Sequence, residues 1–594
     1  MSVYILVQTY MIKKSKVLFI YGILLACGFS LKAQTRKSFI EPDIAQQRWV
    51  DSTFKKLKRK ERIAQLFFVR AHTDRGKAYE DSVASLIAND KIGGLVFFQG
   101  GPGRQFNLTK SYQSIASTPL LIAMDAEWGL GMRLDSTSSY PYQMTLGAIQ
   151  DNSLIYQMGK EIARDFKRLG MHLNFAPVVD VNNNPKNPVI NYRSFGDNKY
   201  NVALKAEAYL RGLQDEGVLV SIKHFPGHGD TDVDSHSDLP KLSFNRQRLD
   251  SLELYPFKEL IQKGAAGVMV AHMNIPSLDS SLNVPSTLSK PIVTGLLKTE
   301  LGFKGLAISD AMEMKGVVKF FPNGEADVRA LIAGNDVIEL SENTRRAIEL
   351  TRAAIKEKRL KWNQINASVK KVLAAKYWAG LDKPFTVDSL NLKSFLKRPE
   401  GLALNQKLSD AAVTLLKGDS LLRSVLREEK TAVISTGVSD VTTFQKEMNQ
   451  RFPNSTNFIL SKIASAKDID KLKSELLGYK QIILAIHDYR KRPQSILDYN
   501  TDLKNFIAET VAKNTITCLF ANPYTLFGLP GIEKSKSLLV NYQNSDEMQK
   551  ASAKAISGEL SISGRLPVTI NTLFKTGDGI QYFPTPATVS GQAE

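Results

Sequence analysis

The chain has 594 residues, 43% of them hydrophobic and 23% charged, with a formal net charge of +19. That length exceeds what one hydrophobic core serves, and the composition is that of an ordinary folded protein, which excludes a fibrous or largely disordered chain and leads to an expectation of two domains. The basic residues are scattered rather than clustered with aromatics, which argues against a nucleic-acid binder.

At the amino end, Lys13, Lys14 and Lys16 precede an apolar run from Val17 to Phe29, and Leu31-Lys32-Ala33 stands before Gln34 as a cleavage site. This is the pattern of a signal peptide over residues 1–33, and a run of 13 residues is shorter than the roughly 18 to 20 that cross a bilayer. The protein is therefore expected to be exported, periplasmic or secreted. Leu24-Leu25-Ala26-Cys27 is a second possible processing box, which would leave a lipid anchor on Cys27. Cleavage after Ala33 removes four lysines and no acid, so the charge of the mature chain falls to +15. Cys518 is then the one remaining cysteine, and neither an internal disulfide nor a cysteine-built metal site is available.

Over residues 34–381, eight short apolar runs alternate with helical stretches: Leu66–Val69, Gly94–Phe98, Leu120–Met124, Leu173–Val178, Val218–Ile222, Gly267–Ala271, Leu306–Ile308 and Val337–Leu340. The alternation predicts βα units, and eight is the number that closes a TIM-like (β/α)8 barrel. Polar residues follow several of the runs, namely Asp125 and Glu127, Asp180, Lys223 and His224, His272, and Asp310. Active sites of such barrels are built from these carboxyl-terminal strand ends. Residues 382–402, with Pro384 and Pro399, read as a linker. From 403 to 594 a smaller α/β sandwich is expected, with strands at Thr431–Ser435, Gln481–Ile486, Ile516–Phe520 and Ser537–Val540 and a last one near Leu566–Ile570.

The segment Lys223-His224-Phe225-Pro226-Gly227-His228-Gly229-Asp230-Thr231-Asp232-Val233-Asp234-Ser235-His236 resembles the signature loop of the β-N-acetylglucosaminidases of glycoside hydrolase family 3. Ile308-Ser309-Asp310-Ala311-Met312-Glu313-Met314 is similar to the nucleophile strand of that family. Two segments upstream, Met124–Arg133 and Asn187–Gly196, are similar to further family stretches. Ser563-Gly564-Arg565-Leu566-Pro567-Val568 looks like part of the sandwich that follows the barrel in many members. Ala126-Glu127-Trp128-Gly129 departs from the Gln-Glu-Gly-Gly of many relatives.

The resemblance implies a retaining hydrolase in which Asp310 attacks the anomeric carbon and His236 gives, then takes, the proton, with Asp234 orienting the ring. Imidazole suits that double duty because its ordinary pKa lies near neutrality. The resemblance also places Asp125, Arg133, Arg193, Lys223 and His224 on the sugar, while Arg193 and Lys223 have the alternative of pairing with buried acids such as Asp180. Trp128 is either a sugar platform or a core aromatic. Pro226, Gly227 and Gly229 suggest a mobile loop. The loop's histidines and aspartates are also conceivable metal ligands, but their spacing is not helical and hydrolysis of a glycoside needs neither metal nor cofactor. The expected substrate is a GlcNAc-containing peptidoglycan fragment, with no nucleic acid and no stable protein partner. A β-glucosidase, a GlcNAc phosphorylase and a non-catalytic cell-wall binding protein are the competing readings.

Overall fold

A computed structural model describes residues 38–234, 238–387, 389–425 and 427–584. The proposed signal peptide, Cys27 and His236 lie outside the described residues. Eight strands appear where the apolar runs predict them: β1 (Phe67–Ala71), β2 (Gly94–Phe97), β3 (Leu121–Met124), β4 (Leu173–Asn174), β5 (Leu219–Phe225), β6 (Gly267–Val270), β7 (Leu306–Ser309) and β8 (Ile338–Glu339). Each pairs in parallel with the next, β8 returns to β1, and an Ile308–Val337 bridge closes the ring. The strands read as near-continuous apolar runs because both of their faces are covered.

Those two faces are distinguishable. Leu121 and Ala123 belong to one apolar cluster, Ile122 and Met124 to the other. Side chains on a strand alternate with a period of two, so Asp125 continues the face of Leu121 and Ala123 beyond the end of β3. By the same count Lys223 continues from Leu219 and Ser221, and Asp310 from Leu306 and Ile308. The inward face of the barrel thus runs from aliphatic packing into charge as it reaches the carboxyl ends.

β4 is shorter than the apolar run Leu173–Val178 predicts. Pro177 lacks an N–H and cannot extend the ladder, and Val178 is held instead by Gln143, whose amide donates to its carbonyl and accepts from its N–H.

A second sheet contains β9 (Thr414–Lys417), β10 (Thr431–Thr436), β11 (Ser455–Leu460), β12 (Gln481–His487), β13 (Thr515–Phe520) and β14 (Ser537–Val540), in the order β11-β10-β12-β13-β14-β9. All pair in parallel except β9, which runs antiparallel to β14. The stretch expected as a last strand, Leu566–Ile570, is an extended segment laid on the barrel: Arg565 N donates to Ala148 O at 3.0 Å, Asp197 N to Pro567 O at 3.1 Å and Thr569 N to Asp197 Oδ2 at 2.6 Å. Residues 382–402 carry a short helix, Leu392–Phe395, and the start of another, Pro399–Ala412. Between them Arg398 pairs with Glu161 and Asp165 of the barrel. Among the described residues no helix is long and apolar enough to cross a membrane.

At the amino ends of the barrel strands, Lys376 is fully buried and its ammonium donates to Gln65 Oε1 at 2.6 Å. Burial pushes its pKa down to about 7. An ammonium with a lowered folded-state pKa costs stability in full below that value, and the cost fades as pH rises toward the unfolded value of about 10.4. Lys376→Met should therefore raise Tm by more near pH 6 than near about pH 9. Thermal melts at the two pH values check this, and equal gains at both would show that the buried charge is not the cause.

Candidate active site

The carboxyl ends of the strands surround a cavity of about 360 Å³, within the size range of small-molecule sites. Every described side chain that lines it comes from the barrel, between Arg70 and Leu340. One half is charged. Lys223 Nζ lies 2.7 Å from Asp125 Oδ1 and 2.9 Å from Glu127 Oε1. Arg133 Nη2 reaches Asp125 Oδ2 at 2.7 Å. Arg193 grips Glu127 with two bonds, Nη2 to Oε1 at 2.6 Å and Nε to Oε2 at 2.9 Å.

Burial opposes ionisation of both acids, but the cations prevail. Lys223 and Arg133 hold Asp125 below the ordinary carboxylate range, and Arg193 with Lys223 holds Glu127 at about 2. Burial likewise opposes the charge on Lys223, and Asp125 and Glu127 more than restore it, raising its pKa. Each charge is tolerated here because the others are present.

The loop after β5 is anchored by Asp180. Its carboxylate contacts His224 Nδ1 at 2.7 Å and accepts from the backbone of His228 at 2.7 Å. Burial raises the Asp180 pKa, and His224 overrides this and lowers it. Arg193 Nη2 lies 3.3 Å from the other ring nitrogen, His224 Nε2, so the ring joins Asp180 to the charged half. His228 is also buried, which together with His224 pulls its pKa down to about 4, and its Nδ1 lies 2.6 Å from Thr231 Oγ1.

The glycines expected to loosen this loop serve close packing instead. A Cβ on Gly229 would sit 1.9 Å from Val181 O, and Gly227 combines a φ of +132° with a Cβ position 2.7 Å from Glu253 Cβ. Residues 221–229 are buried throughout. Farther along, Asp234 O accepts from Asp238 N at 3.1 Å.

The rest of the lining mixes apolar and charged side chains, Phe98, Met269, Ala311, Met314 and Leu340 beside Arg70, Asp310, Glu313, Lys315 and Glu339, and Arg133 itself lies over the Phe98 ring at 4.6 Å. Asp310 enters here at the end of β7, its backbone N–H donating to Val270 O at 3.0 Å and its Oδ1 accepting from Ala311 N at 2.8 Å. Arg70 lies over the Phe98 ring and pairs with Glu313. Glu339, in β8, is 3% exposed and lines the same space. Burial, with Asp125 and Asp310 nearby, pushes its carboxyl well above the usual range.

The cavity thus gathers Asp125, Arg133, Arg193, Lys223, His224 and Asp310. Arg193 and Lys223 do pair with buried acids, but these are Glu127 and Asp125 rather than Asp180. Trp128 lies outside the cavity wall, packed edge-on against Tyr142 with ring centroids 4.9 Å apart, and the two line a neighbouring cleft. Sequence reasoning overlooked Glu339, whose one signal is a carboxylate inside an apolar barrel strand. Among the described residues, no group of three or more His, Cys, Asp or Glu side chains is arranged to hold a metal ion.

Paired carboxylates and fixed cations at a barrel mouth are the equipment of a carbohydrate hydrolase, and comparison with known proteins agrees. Residues 59–375, over half of the chain, match the glycosyl hydrolase family 3 N-terminal domain. The chain belongs to that family and is a glycoside hydrolase. It is 33% identical over 373 residues to "Beta-hexosaminidase A" of Pseudoalteromonas piscicida, covering 57% of this chain and 62% of that one. It is 24% identical to "Beta-N-acetylglucosaminidase/beta-glucosidase" of Cellulomonas fimi, over 88% of this chain and 95% of that one. The structure of a family 3 β-N-acetylglucosaminidase from Paenibacillus sp. FPU-7 superposes with a TM-score of 0.73 at 29% identity, covering 87% of this chain and 99% of that one.

Glu127→Leu should leave Arg193 without its carboxylate and Lys223 with one of its two, and destabilise the protein by about 3–5 kcal/mol, seen as a lower Tm. Adding Arg193→Met should recover part of that loss, since fewer charges are then left unpaired. Thermal melts of the two single variants and the double variant check this, and strictly additive losses would refute the coupling.

Proposed function

We propose that this enzyme is a retaining β-N-acetylglucosaminidase that removes terminal β-linked GlcNAc, with Asp310 as nucleophile and His236, supported by Asp234, as general acid and then base. The observation that carries the reading is the position of Asp310: at the end of β7, in one sugar-sized cavity with Asp125, Lys223 and Arg133. The relatives named as β-hexosaminidase or β-N-acetylglucosaminidase support the sugar specificity.

In the first step the Asp310 carboxylate displaces the leaving oxygen at the anomeric carbon while His236 protonates it. In the second, water attacks the anomeric carbon as His236 accepts its proton, the bond to Asp310 breaks and the carboxylate is restored, so two inversions leave the configuration retained. Asp125, Arg133, Lys223, Arg193 and His224 offer bidentate acceptors and charged donors suited to pairs of sugar hydroxyls. Using the substrate's own acetamido group as nucleophile would not require a separate attacking carboxylate. The substrate we favour is a peptidoglycan fragment with GlcNAc β-1,4-linked to a muramic or anhydromuramic unit, met after export, whether the enzyme is soluble or anchored through Cys27.

Asp310→Ala should lower kcat by roughly a thousandfold or more with the fold retained by circular dichroism, and a 2- or 5-fluoro glycoside should label the peptide that contains Asp310. Near-normal turnover, or label on another residue, would remove the assignment. Asp234→Ala and His236→Ala should impair substrates with poor leaving groups far more than aryl glycosides, because a good leaving group departs with little protonation. Equal losses on both would take His236 out of the acid role. Rates with and without phosphate separate hydrolysis from phosphorolysis.

A further inference from the structure

The least satisfied acid of the cavity belongs to no role described so far. Among the described residues, Glu339 Oε2 is buried and has no hydrogen-bond partner. Leaving a buried carboxyl atom unpaired costs free energy that a structural role would not explain, and its neighbours make ionisation still more costly. Asp125 at the end of β3 and Asp310 at the end of β7 act on it as like charges, while Lys223 of β5 and Arg70 of β1 act in the opposite sense. Lys223 is committed to Asp125 and Glu127, and Arg70 to Glu313. A neutral carboxylic acid has one O–H to donate.

The place of Glu339 says what should receive it. Hydroxyl pairs are served by the charged half of the cavity, where donors and acceptors alternate. Glu339 stands on β8, beside the β7 strand that ends in Asp310, and lines the cavity with Met314 and Leu340. The sugar substituent next to the carbon that Asp310 attacks is the one on C2. An acetamido group there has a methyl that suits Met314 and Leu340 and a carbonyl oxygen that requires a donor.

We propose that Glu339 is a specificity-determining residue whose carboxyl group donates a hydrogen bond to the 2-acetamido oxygen of the bound sugar. This rests on the β-N-acetylglucosaminidase reading and names the group that makes the distinction. A glucoside, with only a hydroxyl at C2, leaves that donor without its acceptor, and polar groups left unpaired are what produces large discrimination. Glu339→Gln keeps a donor of similar shape, whereas Glu339→Leu removes it.

The test measures kcat/KM for p-nitrophenyl β-GlcNAc and β-glucoside across pH in the parent, the Gln variant and the Leu variant. The parent should prefer GlcNAc and lose that preference at alkaline pH as Glu339 ionises. The Gln variant should keep the preference with the alkaline loss abolished, and in the Leu variant the GlcNAc-to-glucose ratio should fall at least tenfold. A parent that prefers GlcNAc, beside a Leu variant with an unchanged ratio or a Gln variant with the same alkaline loss, would overturn this proposal alone. A parent without the preference would overturn it together with the functional reading. Should the Leu variant not fold, the Gln pH profile decides.

Discussion

Lys223 is an ammonium group on a barrel strand, 2% exposed, and much of the site follows from keeping it there. Desolvating such a charge costs several kcal/mol unless it is paired in good geometry. Asp125 and Glu127 supply the pairing from the turn after β3, which fixes that turn against β5. Those two acids are in turn too costly without further cations, and Arg133 and Arg193 provide them. Three cations therefore meet two carboxylates in one connected set of contacts. The set carries a positive surplus and lines the same cavity as Asp310. It does not extend to a second acid beside Asp310, and Glu339 is the group that burial and its neighbours drive toward the neutral form.

Among the described residues, the second domain contributes none of the cavity's lining, yet it holds one of its arms. Arg193 follows a loop whose Asn191 takes a positive φ of 40°. The Asn191 side chain donates to Ser495 Oγ at 2.8 Å and accepts from Asn522 Nδ2 at 2.5 Å, while Asn182 Nδ2 donates to Tyr524 OH at 2.9 Å. On the neighbouring turn, Tyr142 N and Thr145 Oγ1 both donate to Gln543 Oε1 at 2.8 Å. Loops that leave β12, β13 and β14 thus brace the barrel loop that positions the guanidinium. A site on loops is only as precise as what packs behind them, and here the support comes from residues more than 300 positions away in sequence.

The barrel was legible because parallel strands buried on both faces leave unbroken apolar runs, and because charges placed just after such runs stand out. What stayed hidden depends on partners distant in sequence. β11 carries a half-polar stretch, Ser455-Thr456-Asn457, and lies at a sheet edge, while β9 is short and antiparallel, so neither shows the pattern of a buried strand. Leu566–Ile570 is apolar enough to resemble a strand, but its backbone bonds are divided between Asp197 of the barrel and the turn at Phe574–Asp578. Gly227 and Gly229 look like flexibility in one dimension, and only the nearness of Glu253 and Val181 shows that they are there for lack of space. Glu339 escaped because it sits inside an apolar run, where one acid reads as an interruption.

The division of the cavity also bears on how such a site can be both rigid and selective. Electrostatic stabilisation is effective when the charges are already oriented before the substrate arrives, so that none must reorganise during reaction. In the charged half that orientation is set by mutual pairing: each cation holds an acid, and His224 links Arg193 to Asp180. Such a network can serve many sugars, because hydroxyl pairs are common to all of them. Discrimination has to come from a point where partners are sparse, as at Glu339, and an unmatched polar group is costly. On the proposed assignment, Glu339 of β8 is the group expected to distinguish one sugar from another, and the heavily bonded groups that follow β3 and lie on β5 are those expected to hold whichever sugar is bound.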